Sequence, residues 1–210
     1  MNRQVYLDHN ASTPVHPEVV AAMLPYFSER FGNPSSVHGF GREAREGLET
    51  AREQVAHFLR VGKEEVVFTS GGTDSDNMAV KGVAMARRQG HIITSRIEHH
   101  AVLRAVQTLE SQGFPATYLD VDGHGQVDPD ALRRAIRPDT ILITIMHANS
   151  EIGTLPKVCT ASMWKGMLCS RAMAPSSRAG WMVPISELAC MIVIRIVSGR
   201  IARRSASGST

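Results

Sequence analysis

The sequence predicts an α/β protein whose sheet is mainly parallel and flanked by helices. Three observations carry that prediction. Short β-branched or apolar runs, VVFT at 66–69, HIIT at 91–94, ATYL at 116–119 and TILITIM at 140–146, alternate with segments whose apolar residues recur every three or four positions. TILITIM is nearly all apolar, as a parallel strand covered on both faces should be. Polar clusters at 70–76, 96–99 and 147–151 follow three of these runs, and in such sheets ligands bind beyond the carboxyl ends of the strands.

Taken in order, Val5-Tyr6-Leu7 reads as a short strand entering a polar turn with Asp8, His9, Asn10, Ser12 and Thr13. That cluster suits either an N-terminal arm with Asx-type turns or a functional loop. Pro17 at a first helical position, followed by Val19, Val20, Met23 and Leu24, predicts a helix to about Arg30. FGNPSSVHGFG (31–41) is a loop by its Gly, Ser and Asn-Pro content, long enough to serve a ligand. Ala44, Leu48, Ala51, Val55 and Phe58/Leu59 place one apolar stripe on a helix over 42–60. Further on, Glu98-His99-His100 leads a helix marked by Ala101, Val102, Ala105, Val106 and Leu109. Asp122-Gly123-His124-Gly125 is a turn, and Asp128 as N-cap with Pro129 at N1 starts another helix.

The stretch VVFTSGGTDSDN (66–77) organises the chain. A strand, a Gly71-Gly72 turn and a helix opening at Thr73 leave free N–H groups and a positive helix end facing outward. The Gly-Lys-Ser/Thr order of a nucleotide-triphosphate loop is absent, so a monophosphate is the expected ligand. An ordinary βα turn without a ligand is the alternative. His99 alone suits a helix start or a core position as well as catalysis; its place beside two other polar strand-end loops favours function.

The net charge of +3 hides an asymmetry. Residues 1–156 carry 15 Lys+Arg against 19 Asp+Glu, whereas 157–210 carry 8 against 1. All nine histidines precede the break, while Cys159, Cys169, Cys190, Trp164 and Trp181 follow it. The cysteines lack metal-binding spacing, so no metal site is expected. The basic tail lacks aromatic interleaving or a recognised module, so nucleic acid is not an expected partner. Ile185–Ile201 does not segregate its apolar residues to one face, which disfavours a membrane surface. With neither a signal-like apolar region nor an uncharged apolar run of roughly 20 residues, the expected location is cytoplasmic.

YLDHNASTP, FGNPSSVHGFG, VVFTSGGTDSDNMAVKG, ITSRIEHHAVL and MHANSEIG resemble, in order and spacing, the N-terminal part of cysteine desulfurases of the NifS-like group. These are pyridoxal 5'-phosphate (PLP) enzymes of the class V aminotransferase type, with selenocysteine lyases as near neighbours. The resemblance covers residues 4 to about 156 and implies an incomplete large domain of the PLP-dependent transferase, aspartate aminotransferase-like, fold. It implies that Gly72 and Thr73 hold the cofactor phosphate, that His99 lies at the cofactor ring and takes part in proton transfers, and that Ser150 stands at the ring-hydroxyl contact with Asn149 retained beside it as a cofactor-binding residue. Ser150 stands where the family's Asn-Asn-Glu motif has its second asparagine, so that contact has a shorter reach; Asp74 replaces a family glutamate. The implied activity is removal of sulfur from L-cysteine, leaving alanine and an enzyme persulfide for iron–sulfur cluster assembly or other sulfur transfer. A sulfur-acceptor or scaffold protein and a second copy in a homodimer are the implied partners.

After Pro156 the resemblance stops. The family's pyridinium-pairing aspartate, its Ser-Gly-His-Lys motif and its mobile-loop cysteine have no counterpart in 157–210, which contains neither aspartate nor histidine. Residues 1–156 are therefore expected to form part of a large domain, and 157–210 to be a frameshifted, poorly structured tail. Two expectations follow: catalytic incompetence, with a PLP-binding or dimer-partner fragment as the alternative reading, and sheet strands left with unpaired, aggregation-prone edges.

Overall fold

The computed structural model describes residues 4–9, 11–155, 181–182 and 192–196. They fall into two compact units, Met1–Thr69 and Ser70–Thr210. Among them no helix is long and apolar enough to cross a membrane.

The first unit is helical. Helices α1 (Pro17–Met23) and α2 (Pro25–Ser28) replace the single helix predicted to Arg30. The break falls at Leu24-Pro25, because Pro25 has no N–H to continue the ladder. Helix α3 (Gly39–Leu59) starts earlier than its apolar stripe, with the His38 ring accepting from Gly41 N–H as N-cap. Gly41 packs directly under the backbone carbonyls of Asn33 and Ser36, where a side chain would collide. Arg60 closes α3 in the left-handed region at φ 57°.

Two predicted strands in this unit do not form. Val5–Leu7 is unpaired; Tyr6 Oη instead donates to the carbonyl of Asp8 or Ser12, at 2.9 and 3.0 Å. Val66–Thr69 is likewise outside any strand, and Val67 and Phe68 are exposed. Arg52 takes the place of a neighbouring strand: its Nη1 donates to the Val66 carbonyl and its guanidinium lies 5.2 Å from the Phe68 ring centroid.

The second unit is the α/β layer structure. Its elements are α4 (Gly72–Arg87), β1 (His91–Ser95), α5 (His100–Ser111), β2 (Ala116–Leu119), α6 (Pro129–Ala135), β3 (Thr140–Met146), β4 (Trp181–Met182) and β5 (Ile192–Ile196). The strand order is β2-β1-β3-β5-β4. β1 runs parallel to β2 and β3, with Ile93 opposite Thr117 and Ile143. β5 pairs antiparallel with β3, and β4 with β5. The β3 edge expected to lie bare is thus covered by a strand from the basic tail. The rest of the poorly structured tail expected over 157–210 lies outside the described residues.

Period-two alternation divides the core. Ile92 and Leu142 face Val80, Val83, Val102, Val106 and Leu109 of α4 and α5. Ile93, Ile143 and Ile145 face Leu132 of α6 and Leu119. Both faces of β1 and β3 are therefore buried, which explains their unbroken apolar runs.

A buried histidine links three strands of this core. His91 is fully buried, with Nδ1 3.0 Å from Thr140 Oγ1 and Nε2 2.7 Å from Thr117 Oγ1. It ties β1 to both neighbours. Burial, aided by Arg137 and opposed by Asp139, holds its pKa below the usual histidine range. The unfolded chain therefore binds this proton first, so stability is full above about pH 6.5 and falls as pH drops below it. We expect His91→Gln, which keeps a donor and an acceptor without titrating, to remove that component. Urea midpoints of the two proteins should diverge between about pH 7.5 and 5.5, with a slope up to about 1.4 kcal/mol per pH unit. Parallel pH profiles would refute the assignment.

Candidate active site

The site is built at the carboxyl ends of the parallel strands, where α4 begins. Gly71 is its N-cap, extended at φ 165° and ψ −179°, with no side-chain capping bond. Nothing lies within 4 Å of the space a Cβ on Gly71 would occupy. Asp74 reaches back instead, its Oδ2 accepting from Ser70 N–H and Oγ–H at 3.3 Å each. Gly72 and Thr73 form the first turn, where N–H groups have no partner within the helix and the dipole is positive. Thr73 is exposed. Asn77 Nδ2 donates to the Thr73 carbonyl at 2.9 Å and stiffens this turn.

His99 caps α5. Its Nδ1 accepts from Ala101 N–H at 3.2 Å, which places the proton of the neutral ring on Nε2. The ring is exposed, and Nε2 is left for a ligand. Beneath it lie two carboxyls that sequence reasoning passed over. Glu98 is 4% exposed; its Oε2 accepts from His99 N–H at 3.2 Å and its Oε1 from Thr144 Oγ1–H at 3.3 Å. Burial, reinforced by the charge of Asp76, pushes Glu98 up to about 7. Asp76 is 3% exposed and its Oδ1 has no hydrogen-bond partner. Burial raises its pKa, and the His99 charge opposes that rise. A single Asp or Glu near a helix start reads as a capping residue, so the sequence signals neither burial.

The loop after β3 is anchored to the loop after β1. Asn149 Nδ2 donates to the Ile97 carbonyl at 3.0 Å, and its Oδ1 accepts from Glu151 N–H at 2.9 Å and Ile152 N–H at 3.2 Å. A backbone bridge to Thr154 closes the turn. Asn149 is thus buried and largely committed to the protein, whereas Ser150 next to it is exposed. Asp76 lies one turn into α4 from Thr73, and Asn149 holds the segment leading into His99 through its bond to the Ile97 carbonyl. Gly72 and Thr73 thus open α4, His99 caps α5 and Asn149 anchors the loop after β3 to the segment before His99. Ser150 is exposed beside Asn149.

The donor set fits the phosphate of PLP: a glycine-opened helix start without a side-chain cap bond and with room above Gly71, and an imidazole Nε2 on the loop before α5. Residues 5–163 match the family described as Aminotransferase class-V. The chain belongs to the class-V aminotransferase family. The match runs past Pro156, where the motif resemblance ends. Cysteine desulfurase IscS of Dictyoglomus turgidum is 56% identical over 160 residues, which are 75% of this class-V aminotransferase chain and 41% of that protein. A solved NifS-like protein is 42% identical with a TM-score of 0.69, over 74% of this chain and 43% of its own. SspA, solved in complex with cysteine, is 43% identical with a TM-score of 0.66, over 73% of this chain and 45% of its own. The chain thus spans about two fifths of the length of the curated relatives it matches.

Proposed function

We propose that this class-V aminotransferase chain carries the phosphate-binding part of a cysteine-desulfurase site. PLP, when bound, supplies an electron sink for chemistry at the substrate Cα. Gly72 and Thr73 would hold its phosphate through their N–H groups and the Thr73 hydroxyl. His99 would hold or move a proton at Nε2, its ring oriented by the Ala101 N–H bond at Nδ1. Ser150 would meet the cofactor's ring hydroxyl, with Asn149 beside it among the cofactor-binding residues and shaping the loop that presents it. The glycine-opened start of α4, with no side-chain cap bond and open space above Gly71, carries this assignment. L-cysteine is the proposed substrate class, with a sulfur-acceptor protein and a second copy of the chain as partners and the cytoplasm as the place of action.

The finer proposal is that this chain binds PLP without turning over cysteine. Lys157 and Lys165 lack a Ser-Gly-His context, and the abrupt change in composition after Pro156 suits translation out of frame. Spectroscopic titration with PLP should show binding that inorganic phosphate competes away. Incubation with L-cysteine should release no more alanine or sulfide than free PLP does. Release at the rate of an intact desulfurase would overturn the incompetence. Absence of PLP binding would overturn the cofactor assignment.

A further inference from the structure

We propose that Glu98 is a positioning residue for His99: its buried carboxyl bridges the His99 N–H to the Thr144 hydroxyl and so sets the direction in which the imidazole leaves the start of α5. The use of that imidazole in cofactor chemistry rests on the role assigned to His99 above; the bridge itself rests on bonds within the chain. Residues 96–99 link β1 to α5, and three neighbouring segments hold them. Arg96 N–H donates to the Leu119 carbonyl at the end of β2, at 3.0 Å. The Ile97 carbonyl accepts from Asn149 Nδ2 at 3.0 Å. Glu98 Oε1 accepts from Thr144 Oγ1–H of β3 at 3.3 Å, and its Oε2 from His99 N–H at 3.2 Å.

Both backbone groups of His99 are engaged. Its carbonyl accepts from Val102 N–H and Leu103 N–H at 3.0 Å each, which opens α5. Its N–H lies outside the helix ladder, so nothing within α5 would hold it; Glu98 does. With the backbone set, one further bond orients the ring, Nδ1 accepting from Ala101 N–H at 3.2 Å, and Nε2 takes no part in the cap. Glu98 is 4% exposed and Thr144 fully buried, so water competes with neither end of the bridge. The anchor is firm, because β3 is buried along its length. An acid placed here costs more than an apolar residue unless its oxygens are bonded, and both of them are. The bridge holds in either protonation state. A carboxylate accepts from both partners, and a protonated carboxyl accepts from the N–H while donating to the hydroxyl.

Nitrogen NMR of the full, cofactor-free chain with labelled histidine tests the bridge, and His99→Gln identifies the His99 signals. In the wild type the neutral His99 ring should be a single tautomer with its proton on Nε2. Its amide should exchange about tenfold more slowly than an unbonded one, the worth of one hydrogen bond. Glu98→Gln and Thr144→Ser keep both bonds and should leave these signals unchanged. Glu98→Leu and Thr144→Val keep the bulk without the bonds; both should give the averaged signal of two exchanging tautomers, and Glu98→Leu should also release the amide. A merely structural role would not separate Gln from Leu at one site while circular dichroism shows the fold intact. A wild-type ring already divided between tautomers, or a wild-type amide exchanging freely, overturns the bridge with no variant needed. So does a ring unmoved by both Glu98→Leu and Thr144→Val. Because His99 is assigned to the cofactor ring, Thr144→Val should also weaken PLP and pyridoxal alike. A freed imidazole with both affinities unchanged overturns the His99 assignment and leaves the bridge standing, so the two failures are distinguishable.

Discussion

Leu142→Ala will lower the stability of the α/β unit by about 2–5 kcal/mol, the range for deleting a buried leucine side chain and leaving a cavity. Leu142 is fully buried at the centre of β3, packed in the cluster that joins Ile92 to Val80, Val83, Val102 and Val106. It sits between β1 and β5 in the sheet, so collapse of the cavity would have to distort a ladder on either side. That places the cost toward the upper part of the range. Urea unfolding followed by far-ultraviolet circular dichroism should show a lower midpoint with an unchanged slope. A loss below about 1 kcal/mol would mean that this face is loosely packed.

Gly72→Pro will weaken PLP binding about ten- to a hundred-fold, the worth of one hydrogen bond to a charged group. Gly72 is the first residue of α4, a position where proline is compatible with the helix because the lost N–H bonds nothing within it. The preceding Gly71 is already extended, as a residue before proline must be. The substitution therefore removes the N–H proposed to meet the phosphate while leaving the helix in place. Pyridoxal, which has no phosphate, should bind both proteins equally. Fluorescence titration of the two ligands against the two proteins measures the difference. An equal loss for pyridoxal would point to a disturbed fold, and no loss for PLP would remove Gly72 from the site.

The parallel part of the fold is legible in the sequence because burial on both faces leaves a strong mark. TILITIM and ATYL give β3 and β2 to the residue, and Asp128-Pro129 announces α6 through a cap and a ring that fit one geometry. Val66–Thr69 has the same composition yet forms no strand, since composition states a preference and a ladder needs a neighbour. There the long Arg52 side chain supplies the partner. The β3–β5 pairing was equally invisible, because nothing in the order of residues joins Met146 to Ile192. Glycines and hydroxyls at 70–73 mark the helix start openly. The carboxyls beneath His99 leave no such mark: burial of Asp76 and Glu98 arises only when α4, α5 and β3 come together.

The side chain of Asn149 spends its carbonyl on two backbone amides and its amino group on Ile97. Ser150, one residue on, is exposed and owes the architecture nothing of that kind. Adjacent positions in the same turn therefore face opposite tolerances to change. Drift at 150 leaves the loop's shape intact, whereas drift at 149 undoes the join between two strand ends. Diversity within a lineage built on this turn should accumulate at the second position and be filtered out at the first.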